Sequence, residues 1–466
     1  MKILLTGATG LIGKEVGKLL SQEGFEIVAL SRDAGLAGKE LPFRCKVVEW
    51  KGPGNAFPET TLAAFESVDA VINLMGENLS GGRWTEEFKK RILTSRSDAT
   101  RELIQAVYSR ANPKHWLQAS AVGWYGESRD GTVFDENSGK GSGFLADVCE
   151  QWEGALSALP DGVRRVILRT GVVMSHKGGA FPKMLDPILN GIGGVIGSGH
   201  QLMSIIHLED AARFVVYALK TATLEGPYNL VVEQPVMQKL LTQRLCVLLH
   251  VQPGPPVPAL ALKVALGEMS ELVLQSQSVA SVRISETGFR FRYGTVHELL
   301  QEICSWHQHP LEPHRATFIQ YAEQFVPREL GQVFPFFSDA RNLESITPEW
   351  LNFKIKSVST GDKIEKGTKI RYRLKLHGVP IAWLTDIAEW EPPTLFVDNQ
   401  LKGPYSLWYH EHSFETVPGG TLLKDWVRYR LPMGKLGALM GLGKVRSDVS
   451  KIFAYRKEII AQRFGN

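Results

Sequence analysis

The stretch Ile3-Leu4-Leu5-Thr6-Gly7-Ala8-Thr9-Gly10-Leu11-Ile12-Gly13 decides the fold. An apolar run ends in a glycine-rich turn, and helical spacing then covers residues 11–23, with Gly24 at the end. The glycines recur as G-x-x-G-x-x-G. Gly7 permits the tight turn, Gly10 lets the backbone approach a pyrophosphate with no Cβ in the way, and Gly13 lets the helix lie close to the sheet. The helix N-terminus offers free N–H groups and the positive end of its dipole to the phosphates. A glycine triplet alone is weak evidence. Here it stands between a strand and a helix, the context that a dinucleotide site requires. Gly7, Thr9, Gly10, Leu11, Ile12 and Gly13 are therefore read as cofactor-binding.

Outward from this turn, strand-like runs at residues 26–30, 45–50, 70–74, 115–119 and 163–169 alternate with helical spacing at 86–110 and 144–159. Such repetition implies a parallel sheet covered by helices on both faces, the doubly wound Rossmann type of α/β fold. From residue 235 to about 275 the pattern is mostly helical, broken by Pro253-Gly254-Pro255-Pro256-Val257-Pro258. The texture changes after Trp306-His307-Gln308-His309-Pro310-Leu311-Glu312-Pro313. Residues 1–309 are read as one domain, with 235–309 as its small helical subdomain, and residues 314–466 as a second, α+β domain. In the latter, six β-type runs precede a helix whose apolar positions Val445, Val449, Ile452, Phe453, Ile459 and Ile460 follow 3–4 spacing.

Composition narrows the class. With 466 residues, 44% hydrophobic and 22% charged, the chain suits two or three folded domains and excludes bulk disorder. Fifty-three basic against 49 acidic residues leave a net charge of +4. Neither this balance nor the sparse basic–aromatic interleaving fits a nucleic-acid binder. The four cysteines (Cys45, Cys149, Cys246, Cys304) lie far apart and read as reduced thiols. Met1-Lys2 leads straight into the first strand without a secretion signal, and no run approaches the ~18 apolar residues of a spanning helix. A soluble, cytoplasmic protein is expected; the oligomeric state is not legible.

The end of the second strand distinguishes the two pyridine dinucleotides. An acidic residue there accepts the ribose 2′-OH of NAD. This chain has Leu30-Ser31-Arg32. Arg32 can pair with a 2′-phosphate and Ser31 adds a hydroxyl, which favours NADP; NAD, with Asp33 serving the ribose, is the alternative.

With these residues in hand, the first ~300 positions resemble the extended short-chain dehydrogenase/reductases, most of all the epimerase-family (SulA-like) oxidoreductase branch. The matching stretches include Thr6–Gly13, Val71-Ile72-Asn73-Leu74-Met75-Gly76-Glu77-Asn78, Arg83-Trp84-Thr85, Ser95-Arg96, Ser120-Ala121-Val122-Gly123-Trp124-Tyr125-Gly126 and Leu168-Arg169-Thr170-Gly171-Val172-Val173. The resemblance implies that Leu74 and Met75 line the adenosine side and that Arg96 and Val172 contact the cofactor. Asp210 is read as the N-cap of a helix over 210–221, and His207 as a structural histidine.

The catalytic pair of that superfamily is absent. Its tyrosine is activated by a lysine four residues on, both on one helical face. None of the eleven tyrosines has lysine at that spacing, and where the pair belongs the chain reads Phe144-Leu145-Ala146-Asp147-Val148. Ser120, at the end of the fifth strand, and Tyr125 are the candidate catalytic residues, with Glu77 as a further proton donor. Two functions follow: an NADP-dependent oxidoreductase or epimerase-like enzyme, or a non-catalytic NADP-binding sensor.

Residues 314–466 resemble the START-like (polyketide-cyclase-like, SRPBCC) helix-grip proteins. The resemblance is carried by Val333-Phe334-Pro335-Phe336-Phe337, Gly403-Pro404-Tyr405, Trp408, His410, His412, Phe414, Asp425 and the terminal helix. It implies a cavity for a hydrophobic small molecule, lined by Trp383, Trp390, Phe396, Trp408, Phe414 and Trp426. In Trp408-x-His410-x-His412-x-Phe414 all four side chains point one way. No metal site is assigned to the two histidines, Asp425 or Glu411 being the residues that would complete one.

Overall fold

The computed structural model describes residues 1–361, 363–432 and 434–465; the side chains of residues 435, 436 and 438–440 are not described. The described residues divide into two compact units. One comprises Met1–Ala37, Cys45–Leu248 and Gln252–Ser305, the other Gly38–Arg44, Leu249–Val251 and Trp306–Asn466.

The first unit is built on seven strands: β1 Lys2–Thr6, β2 Glu26–Ser31, β3 Lys46–Glu49, β4 Ala70–Asn73, β5 His115–Ala121, β6 Arg164–Thr170 and β7 Gly226–Leu230. Their order is β7-β6-β5-β4-β1-β2-β3, and every pairing is parallel. The chain moves outward from β1 in one direction and then restarts at β4 in the other, so the C-terminal ends of β1 and β4 diverge at the switch point of a doubly wound sheet. The central strands are apolar throughout, with Ile3, Leu4, Leu5, Val71 and Ile72 fully buried, because helices cover both faces. β7 is the strand that periodicity did not reveal. The helical spacing over 86–110 resolves into two helices, Glu86–Thr94 and Ser97–Tyr108, broken at Ser95-Arg96.

Buried polar side chains join the ends of the central strands. Thr6 Oγ1 donates to Asn73 Oδ1 (2.6 Å) and accepts from the Leu74 N–H (3.1 Å). Asn73 Nδ2 donates to Thr100 Oγ1 and Gln118 Oε1 at 3.0 and 2.9 Å. β1, β4 and β5 thus end on one hydrogen-bonded shelf.

The second unit contains β8 Phe318–Val326, β9 Lys354–Val358, β10 Lys369–Leu376, β11 Val379–Glu391, β12 Leu395–Lys402, β13 Leu407–Val417 and β14 Gly420–Arg430. They form one antiparallel sheet in the order β8-β14-β13-β12-β11-β10-β9. β8 carries too many polar residues to be read as a strand by itself; pairing with β14 makes it one. A long helix, Gly434–Phe464, follows. Its Ile460 is buried with Phe334, Phe396, Phe414 and Leu423.

Among the described residues, no helix is long and apolar enough to cross a membrane.

Candidate functional site

The glycine turn sits at the switch point. Gly7 has φ +64°, and a Cβ there would lie 2.5 Å from the Leu74 carbonyl oxygen, so Leu74-Met75 presses directly on it. The Gly10 N–H donates to the Gly7 carbonyl (2.9 Å), which tightens the turn. Helix α1, Leu11–Gln22, starts immediately, with Gly10 as its N-cap and no side chain bonded to the cap. A Cβ on Gly13 would lie 2.1 Å from the Gly7 oxygen, so the helix can approach only as glycine. A Cβ on Gly10 would be 3.1 Å from that same oxygen, a milder conflict, and Gly10 itself is exposed. Thr9, Leu11 and Ile12 are half-buried around it. Orphan N–H groups with an open surface above them are what a diphosphate requires.

At the tip of β2 the Arg32 side chain is 79% exposed, 3.8 Å from the Glu77 carboxylate. The Asp33 carboxylate accepts from the Leu36 N–H (2.8 Å), capping the short helix Ala34–Glu40. The group that would serve the ribose of NAD is thereby engaged. Arg96, placed by the helix break, lies inside: Nη1 and Nη2 donate to the carbonyls of Ile92 and Glu77 (both 2.9 Å), and the guanidinium covers the Trp152 ring. Burial pulls its pKa down to about 10, which still leaves it charged at neutral pH. A Cβ on Gly76 would come within 2.9 Å of Arg96 Cζ, so the arginine backs the loop that follows β4. Val172 is half-buried in the strand Val172–Met174.

The region after β5 holds a closed network. Helix α2, Phe144–Gly154, faces the end of β5 with residues four apart. A Cβ on Gly123 would touch Leu145 and Cys149 of this helix, at 3.2 and 3.7 Å. Leu145 and Cys149 therefore face the end of β5, each one position on from Phe144 and Val148, where the Tyr–Lys pair belongs. Neither can relay a proton at neutral pH: leucine has none to give, and burial pushes the Cys149 thiol up to about 11. One turn on, Glu153 accepts from Ser120 Oγ (2.6 Å) and from Nε and Nη2 of Arg169 (both 2.9 Å). Tyr125, proposed from sequence as catalytic, is 1% exposed. Its hydroxyl donates to Asn229 Oδ1 (2.8 Å) and accepts from Arg169 Nη1 (3.0 Å). Burial, the largest influence, raises its pKa against the pull of Arg169. The phenol is thus a structural member of the network, not a poised acid. Ser120 has committed its proton to Glu153, and must release it before it can polarise a carbonyl. Glu153 and Arg169 were missed in the sequence; the available signal was a charge on the apolar face of α2.

The helix that leads into β7 does not start at Asp210. It spans Leu208–Lys220, and its cap is His207, whose Nδ1 accepts from the Glu209 N–H (3.2 Å). Asp210 is fully buried and accepts from the N–H groups of Arg292 and Tyr293, at 2.7 and 2.8 Å. It anchors that loop and caps nothing.

The second unit encloses a cavity of about 190 Å3. Trp383, Phe396 and Trp408 line it, as expected. Trp390 and Phe414 instead pack with Phe334 in the adjoining core. Trp426 is on the other face, stacked on Trp306 at 4.2 Å, because its neighbour Asp425 points inward and strand residues alternate. The cavity also has a polar wall of Asp398, His410, His412 and Arg456. Asp398 is opposite His410 and Asp425 opposite His412 on adjacent strands, so all four side chains share one face. Burial lowers the pKa of His410; for His412 burial acts the same way, but hydrogen bonds to Asp398 and Asp425 reverse it and the pKa rises. Asp425 is held well below the usual range because Arg456 and the two imidazoles outweigh its burial. Glu411, on the opposite face, pairs with Arg428 (3.3 Å).

Comparison with known proteins places the first unit. Residues 3–231 match the NAD dependent epimerase/dehydratase family, and residues 257–303 match a domain of unknown function, DUF1731. The chain is 36% identical over 309 residues to the epimerase family protein YfhF of Bacillus subtilis, covering 98% of that protein and 66% of this one. The chain belongs to the epimerase family. The chloroplastic SDR39U1 homolog of Arabidopsis thaliana is 34% identical over 313 residues, covering 86% of that protein and 65% of this one. The crystal structure of the human epimerase family protein SDR39U1 with NADPH superposes with a TM-score of 0.58 at 31% identity, covering 99% of that chain and 65% of this one. About a third of the present chain lies outside these alignments.

Proposed function

We propose that the chain is an NADP-dependent oxidoreductase or epimerase-like protein. In this reading residues 1–309 bind the dinucleotide, with 235–309 as their subdomain. Residues 314–466 are a START-like helix-grip domain that holds a hydrophobic small molecule as substrate or product. The single observation that carries the reading is the glycine cradle, with exposed Gly10 at the start of α1 and Gly7 and Gly13 pressed against backbone where a Cβ would not fit. The NADPH-bound human relative supports the choice of cofactor. Bound NADPH supplies a hydride. Gly7, Thr9, Gly10, Leu11, Ile12 and Gly13 hold the diphosphate, Ser31 and Arg32 take the 2′-phosphate, and Leu74, Met75, Arg96 and Val172 complete the wall. Ser120 is the hydroxyl at the reaction side, oriented by Glu153. Joining the two domains raises the local concentration of the apolar ligand.

Phe144 and Val148 where the Tyr–Lys pair belongs, with Leu145 and the buried Cys149 facing the end of β5, favour a second reading, an NADP-binding sensor or ligand carrier without turnover. The two are separated by following the near-ultraviolet absorbance of NADPH in the presence of hydrophobic ketones, enals and enones. Consumption supports the enzyme, with acceptors needing little acid help, such as enones, reacting best. Tight NADPH binding with no consumption supports the sensor. Absence of NADPH binding refutes both.

A further inference from the structure

We propose that Asp398, His410 and His412 form a site for a divalent transition-metal ion of the zinc or iron(II) class, with a coordination position open to the cavity of the second unit.

Three observations point there. The first is the donor set. One ligand atom from each residue lies within 4.8 Å of the others. Asp398 Oδ2 is 2.8 Å from His412 Nε2 and 3.5 Å from His410 Nδ1. Bonds of about 2.0–2.2 Å at tetrahedral or octahedral angles place donors about 3.0–3.5 Å apart, a range these separations bracket. Two imidazoles and one carboxylate on one side of an ion, with the other side free, is a donor set that suits zinc and iron(II).

The second is the layer behind the donors. Each histidine would ligate through one ring nitrogen, and the other meets the same carboxylate: Asp425 Oδ1 is 3.1 Å from His410 Nε2 and 2.8 Å from His412 Nδ1. Ligating histidines are held this way, with the non-ligating N–H donated to a carboxylate that fixes tautomer and ring orientation. Arg456 Nη1 lies 3.3 Å from Asp425 and holds that carboxylate in turn.

The third is access. Asp398, His410 and His412 line the cavity, whereas Asp425 lines a separate, smaller recess behind them. The donors therefore face the apolar space and the supporting carboxylate does not.

The test uses the full chain and the metal alone. The protein is stripped with EDTA, dialysed and titrated with Zn2+ by calorimetry, and with Co2+ by visible absorption. The expected result is one ion per chain, with Co2+ giving the d–d bands of imidazole–carboxylate coordination. His410→Ala combined with His412→Ala should abolish binding, Asp398→Asn should greatly weaken it, and Asp425→Asn should weaken it about 10- to 100-fold without abolishing it. Circular dichroism shows whether each variant is folded. Should the variants unfold, the wild-type Co2+ spectrum and stoichiometry still decide. Less than about a tenth of an ion per chain in the wild type, or unchanged Zn2+ affinity in a folded double variant, overturns the site. These readouts depend on neither NADPH nor an apolar ligand.

Discussion

Replacing Arg32 with alanine tests the cofactor assignment at its most specific point. The side chain is 79% exposed and its nearest carboxylate, Glu77, is 3.8 Å away, so deletion should alter folding stability by no more than about 0.5 kcal/mol. A hydrogen bond to a charged group contributes about 1.5–3 kcal/mol, and the solvent around Arg32 favours the lower half of that range. A loss of about 1.5–2 kcal/mol corresponds to roughly 10- to 30-fold in NADPH affinity. NADH lacks the 2′-phosphate and should change by no more than about twofold. Titrating both dinucleotides by protein fluorescence gives the two constants directly. Added salt should narrow the difference between wild type and variant, since the pair is exposed. Equal losses for NADPH and NADH, or no loss for either, would show that Arg32 does not read the phosphate.

Other consequences are equally direct. Glu153→Gln strips charge from a buried pair whose side chains are 8% and 5% exposed, and should cost about 3 kcal/mol, the low end for such pairs because glutamine can still accept hydrogen bonds. Thermal unfolding of the full chain should show a fall of about 6–12 °C, and a fall below about 2 °C would mean that the network is not holding α2 to the sheet. Gly13→Ala, whose Cβ would meet the Gly7 oxygen at 2.1 Å, should lower the melting temperature. Gly10→Ala should leave folding nearly intact and weaken NADPH, so identical behaviour of the two variants contradicts the division of labour. Burial raises the thiol of Cys149 to about 11 and that of Cys304 to about 12. At pH 8 the thiolate fraction is then about one in a thousand or less, and a thiol-specific dye should leave these two buried cysteines unlabelled until the protein unfolds; rapid labelling of either would place it outside the packed interior.

The glycine turn and the central parallel strands were legible because their signal is local: eleven consecutive residues specify strand, turn and helix. The β8 and β7 segments were not. FIQYAEQFV and GPYNL carry polar residues, glycine and proline, and become strands only because a distant neighbour supplies the other half of each ladder. Ser120 was singled out by its place at a strand end. Its partner Glu153 lies 33 residues away and Arg169 a further 16, separations at which no sequence period operates. Trp426 could have been placed correctly: once Asp425 is assigned to the inner face, strand alternation sends the next residue outward. Asp398 went unnoticed beside the two histidines for the reason β7 did, since the register that puts it opposite His410 belongs to the sheet and not to either strand.

The pairing of β8 with β14 also bears on how the protein is made. Phe318 meets Tyr429, about a hundred residues later in the chain. During synthesis the first of these strands leaves the ribosome long before its neighbour, with an unsatisfied edge exposed to whatever lies nearby. The antiparallel sheet can close only after Gly420–Arg430 has been made, and that interval is when a nascent chain of this design is most open to aggregation and most in need of a chaperone.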